Sequence, residues 1–182
     1  MIIMILVQNA PNMEGLQVIL LVVSLGGGII AVASAGKAVK EYNKKQKELE
    51  RTKISATIDN IWQQFDVFNG GEKGMNIHVK FQVNNMLNLT GACNAYFYDN
   101  NGTPLRDCNQ RYCASDGQVS SGIGFSPNYT NCAYNDCVIF MPYNELHVIG
   151  QHNIKFKITL FDNSIQCLAQ SDYNEFNINW QG

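Results

Sequence analysis

Basic residues are scarce where the chain has most of its mass. Residues 54–182 hold six Lys/Arg against eleven Asp/Glu, so this part lacks the positive field that a phosphate backbone needs, and nucleic-acid binding is excluded as its role. Four prolines and 15 glycines in 182 residues exclude a collagen-like chain, and 46% hydrophobic residues exclude wholesale disorder. No Lys or Arg precedes Lys37, and no cysteine precedes Cys93. A nucleophile elbow, an HExxH motif, a phosphate-cradling glycine loop and a dinucleotide fingerprint are all missing, which removes the chemistries those motifs carry. The expectation is a protein that is not an enzyme, with no catalytic residue, no metal and no cofactor.

One long hydrophobic run is present. Leu16 to Ala35, LQVILLVVSLGGGIIAVASA, is uncharged for twenty residues, enough at 1.5 Å per residue to cross about 30 Å of hydrocarbon. The run predicts a transmembrane helix over residues 16–36, behind a short apolar segment, residues 1–15. Ala33-Ser34-Ala35 has the form of a signal-peptidase site, but the basic n-region of a signal peptide is missing. Gly27, Ala31 and Ala35 form a small-xxx-small stripe suited to close helix association. Residues 37–53 then bring seven Lys/Arg among helix formers, a charged helical stalk. Ala35, Val39, Tyr42, Gln46 and Leu49 trace two heptads along it.

Seven cations after the span and none before it point to a cytoplasmic C-terminal part by the positive-inside rule. Six cysteines in that same part point outside, to an oxidising compartment. The expected localisation is therefore a single-pass membrane protein of undecided orientation.

Beyond Ile54 the helical period gives way to short alternating runs ended by Asn, Asp, Gly and Pro. Predicted strands are Ile54 to Trp62, Met75 to Val83, Ala92 to Tyr98, Gly117 to Ser120, Val138 to Met141, Asn153 to Phe161 and Tyr173 to Trp180. In MNIHVKFQV, Ile77, Val79, Phe81 and Val83 point one way and Asn76, His78, Lys80 and Gln82 the other. Strands with one wet face, and no helical run long enough for a parallel crossover, predict an all-β fold for residues 54–182: an immunoglobulin-like antiparallel β-sandwich.

The stretches GGEKGMNIHVKFQVNNM, AYFYDNNGTPLRD, ASDGQV and FMPYNELH resemble an accessory β-sandwich domain of Bacteroidetes-type bacterial proteins, one that follows a transmembrane segment or another domain. The resemblance runs from Ile54 to Trp180 and implies an interaction domain, with no activity or catalytic residues to carry over. Cys108, Cys113, Cys132 and Cys137 are not characteristic of that family, so a bridge or metal site among them would be local to this chain.

Six cysteines allow fifteen disulfide pairings. Cys108-x4-Cys113 and Cys132-x4-Cys137 flank the loop-rich middle and are candidates for disulfides that brace it; a four-thiolate zinc site and free buried thiols are the alternatives. Glu145, His147 and His152 lie close enough in sequence to share a metal, and Asp99, Asp107, Asp116 and Asp136 sit in loops where calcium or plain turn capping would use them. His78 reads as an ordinary surface histidine. Asn88, Asn101 and Asn128 open glycosylation triplets that an Asn-rich chain produces by chance. Tyr112, Phe125, Tyr129, Tyr134 and Tyr143 form a candidate interaction patch, the alternative being loops folded over a sheet edge with these rings as a satellite core.

The functional expectation is a membrane-anchored binding or accessory protein. Its partner is another protein, a glycan or a second copy of itself, with helix and stalk serving anchoring and assembly. A filament or shell subunit with the apolar helix inside, resembling pilins in outline, is the alternative, and a metal- or thiol-dependent enzyme the remote one.

Overall fold

The computed structural model describes residues 31–181. They belong to two units that divide between Arg51 and Thr52. In the first, a helix α1 runs Ala31–Thr52, the stretch where Lys, Glu, Gln and Ala favour helix. Val39 and Tyr42 on it are exposed. Among the described residues no helix is long and apolar enough to cross a membrane. Residues 1–15, most of the expected 16–36 span, and Gly27 of the association stripe lie outside the described residues; of Ala31 and Ala35 only the helical backbone is described.

The second unit is built of antiparallel β-sheets. Sheet A has the order β1-β2-β5, with β1 Ser55–Asn69, β2 Glu72–Asn84 and β5 Asn131–Pro142. Sheet B has the order β4-β3-β6-β7, with β4 Ser120–Phe125, β3 Gly91–Tyr98, β6 Gly150–Asp162 and β7 Cys167–Gln170; β8, Asn174–Trp180, pairs with the first half of β6. The inward rows of the two sheets meet in one core. Ile77, Val79, Phe81 and Val83 of β2 are buried, as are Ala95 and Phe97 of β3 and Ile154, Phe156, Ile158 and Leu160 of β6. The two-residue alternation of these strands is what gives each sheet one apolar and one wet face.

Four strands depart from expectation, among them β5, which begins at Asn131 and not at Val138. β1 runs on through Asn69 instead of stopping at Trp62, because its hairpin turn is Gly70-Gly71, both at positive φ; register shifts at Ile58/Asn60 and Gln64/Val67 mask the alternation there. The expected strand Gly117 to Ser120 is displaced to Ser120–Phe125. The short β7 is an addition that four residues are too few to announce by period.

Candidate functional site

The middle loops close one end of the sandwich with a charged cluster. A 3-10 turn, Tyr143–Leu146, follows β5 and buries Glu145 at 1% exposure. An isolated carboxylate there would be strongly unfavourable, and the loop after β3 answers it. Arg111 Nη1 donates to Glu145 Oε1 at 2.7 Å and Asn109 Nδ2 to Oε2 at 2.9 Å. The same guanidinium bridges to Glu72 at the start of β2, through Nη2 at 3.1 Å. His147 adopts a left-handed backbone (φ 53°) that turns its ring toward the loop, where Nε2 lies 3.0 Å from Asp107 Oδ1.

Asp107, Glu145 and His147 form the one group of three metal-capable side chains among the described residues. Its chemistry does not fit a metal centre. Both Glu145 oxygens are occupied by Arg111 and Asn109, the second Asp107 oxygen accepts from the Asn109 and Gln110 backbone N–H groups, and the guanidinium already supplies the positive charge. The arrangement is a clamp that ties loop, β2 and 3-10 turn together.

Its electrostatics give a pH dependence. The hydrogen bond from His147 holds the Asp107 carboxyl below its ordinary value, helped by the Gln110 and Asn109 amides. Arg111 and then Asn144 do the same to Glu72, and the Thr103 and Asn101 amides to Asp99. Carboxyls whose folded values are depressed stabilise the fold fully above their unfolded values, near 4, and lose that contribution as pH falls through the folded ones. The urea midpoint of the full chain is therefore expected to be level from pH 7 to 5 and to fall below about pH 4, less steeply in Asp107→Asn. A decline that begins above pH 5 would contradict this assignment.

The other residues singled out from sequence are dispersed. His152 Nε2 contacts the Ile149 carbonyl at 3.0 Å and takes no part in the Glu145/His147 cluster. Asp99 caps the Asn101 and Thr103 amides and Asp116 the Gln118 amide, while Asp136 lies in strand β5 and not in a loop, and holds His78; with Asp107 in the clamp, the four aspartates serve four separate tasks. All six cysteines are free thiols. The expected bridges among Cys108, Cys113, Cys132 and Cys137 are absent and no four-thiolate group assembles: Cys108 and Cys113 are exposed on the loop, while Cys132 and Cys137 lie on the inward row of β5. Of the five-ring patch, Phe125 and Tyr143 are buried in the core, Tyr134 stacks on Phe81 at 4.7 Å, and half-buried Tyr112 packs against the core; Tyr129 alone is well exposed, at 72%. Phe125 of β4, Tyr134 of β5 and Tyr143 of the 3-10 turn are turned to the core by the elements that carry them, and of the inward rings only Tyr112 comes from a loop.

A surface unforeseen in the sequence lies on the outer face of sheet A. Register places Trp62, His78 and Val138 in one row across β1, β2 and β5. Trp62 stacks on His78 with centroids 5.0 Å apart and planes 11° from parallel, and His78 Nδ1 donates to Asp136 Oδ1 at 2.7 Å. The outward placement of His78 follows from β2 alternation; its partners come from strands 16 and 60 residues away in the register. Along the same edge strand, Trp62, Phe65 and Phe68 are 37%, 44% and 72% exposed.

No protein-family model and no curated protein matches the chain. Among solved structures, it is similar to a bacterial adhesin from Mobiluncus mulieris, at 11% identity over 71% of this chain, with a TM-score of 0.37. The chain spans 58% of that adhesin's length. It is also similar to a late embryogenesis abundant protein, at 10% identity over 82% of this chain and 88% of that one, with a TM-score of 0.31.

Proposed function

We propose that residues 54–182 form a non-catalytic, immunoglobulin-like binding module, carried on an N-terminal membrane helix and stalk, and that a protein partner docks along β1. The resemblance to accessory domains of Bacteroidetes-type proteins agrees with this reading. One observation carries it: Trp62 stands partly exposed on the outer face of the fifteen-residue edge strand β1, stacked on His78, with Phe68 exposed at 72% farther along the same strand. Edge strands are ordinarily kept short or charged, since their free backbone groups invite pairing. Exposed Trp is among the side chains that most often supply binding energy at an interface.

The test places a photoreactive residue at exposed Gln64, beside Trp62, and for comparison at exposed Asn177 on β8, in cells producing the full chain. The expected result is a light-dependent adduct to a discrete protein band from position 64, absent from position 177 and lost in Trp62→Ala/Phe68→Ala. An adduct of twice the chain's mass identifies a second copy as the partner. Equal adducts from both positions, or none from position 64, would sink the proposal. A glycan ligand is the second reading, favoured by the amides flanking the Trp62 row: Asn60 before it, Gln64 and Asn76 after it. Sugar-array binding that Trp62→Ala abolishes would select it.

A further inference from the structure

The two ends of the sandwich differ in charge. One holds the Arg111 clamp. At the other, three connections leave the sheets: residues 85–90 between β2 and β3, 126–130 between β4 and β5, and 163–166 between β6 and β7. Their shared place follows from register, since Asn84 pairs with Asn131 in sheet A, and Gly91 pairs with both Phe125 and Asp162 in sheet B. Not one Asp, Glu, Lys or Arg occurs in these three segments. Each instead presents a large hydrophobic side chain to solvent: Leu87 is 46% exposed, Tyr129 72% and Ile165 82%.

Ile165 is unfavourable on two counts. Its side chain is bared to water, and its backbone is left-handed, with φ 62°, a conformation that Gly and Asn accept and a β-branched residue resists. The fold alone would be better served by Asn or Gly at this turn. The backbone of the three loops is meanwhile closed on itself. Met86 N–H donates to the Thr130 carbonyl at 3.3 Å and Asn88 N–H to the Pro127 carbonyl at 3.1 Å, which ties two of the loops together. In the third, Asp162 Oδ1 accepts from the Ser164 and Gln166 amides at 2.9 and 2.8 Å, and Asp162 N–H donates to the Gln166 carbonyl at 3.1 Å.

We propose that this uncharged end of the β unit seats on a lipid bilayer, with Leu87, Tyr129 and Ile165 entering the boundary between headgroups and acyl chains. With no ionised group in the loops, no charge has to be stripped of water, and the paired amides and carbonyls leave little backbone to desolvate. An aromatic ring beside aliphatic side chains is the set that partitions to this boundary. β1 also begins at this end, where Ser55 pairs with Asn84, so the chain enters here from the helical segment that the reading above takes to the membrane. The inference rests on that anchoring and adds a second, peripheral lipid contact to it.

The experiment reconstitutes the full chain in phosphatidylcholine vesicles with a photoreactive phenylalanine derivative at position 129 or, for comparison, at exposed Asn101 beyond the far end of β3. Flotation reads anchoring, and intact mass after illumination reads lipid addition. The expected result is a one-lipid adduct from position 129 and none from position 101, equal at low and high salt because no charge holds the loops. Leu87→Ser/Ile165→Asn is expected to lower the adduct about tenfold, through the loss of two membrane-buried apolar side chains, with the urea midpoint unchanged. A chain that floats yet gives no lipid adduct at position 129, equal adducts from both positions, or an adduct to a protein band overturns the proposal and leaves the anchoring intact. A chain that does not float overturns both. The comparison of positions 129 and 101 stands whether or not the double variant folds.

Discussion

Replacing Phe81 with alanine is expected to destabilise the β unit by about 3–5 kcal/mol, a large part of the roughly 5–15 kcal/mol that holds such a domain folded. Phe81 is fully buried on the inward row of β2. Its ring stacks on Tyr134 of β5 at 4.7 Å and tilts against Phe125 of β4 at 5.1 Å, and those two rings contact each other at 5.3 Å. This triad joins both sheets, so truncating its centre removes the ring's transfer energy and leaves a void bounded by two rigid aromatics. Urea unfolding followed by fluorescence measures the loss directly. A change below about 1 kcal/mol would mean that Tyr134 and Phe125 close the gap, and that the triad is not the rigid contact described.

Gly74→Ala is the second large effect. Gly74 pairs with Pro142 across β2 and β5. A Cβ at this position would lie 2.3 Å from the Met141 carbonyl oxygen and 2.8 Å from the Pro142 Cα. These are backbone atoms that no rotamer change moves, so the strands must separate; overpacking of this kind costs about 1–3 kcal/mol or more. Pro142 leads directly into the 3-10 turn that places Glu145 and His147, and the strain therefore passes to the Arg111 clamp. Amide hydrogen exchange is expected to rise at the end of β5 and in the turn, ahead of β3 and β6. Uniform protection equal to that of the parent chain would refute the argument.

Strict alternation made parts of the fold legible. In β2, β3 and β6 every second side chain is apolar over most of the strand, and their predicted and observed limits agree within three residues. β4 was misplaced because SSGIGF offers little apolar pattern; backbone pairing with β3 and the absence of a side chain at Gly122, where a Cβ would fall 2.0 Å from Asn94 Oδ1, define it instead. Glu145 and His147 were recognisable as a pair because one short turn carries both. Arg111 and Glu72 were not, since the clamp is made by loop closure over 34 and 39 residues. The Trp62–His78 stack belongs to the same class: alternation told which face His78 takes, and only strand pairing told what stands beside it.

The strand order carries a consequence for synthesis of the chain. β1 and β2 are joined by a two-glycine turn and pair locally, so they fold together soon after they emerge. β3 ends at Tyr98, yet its central partner β6 begins at Gly150, about fifty residues later on the ribosome. At roughly 5–20 residues per second, one edge of β3 waits several seconds for its neighbour in the sheet. Within that interval β4 emerges and can pair with the other edge of β3, and β5 can complete sheet A.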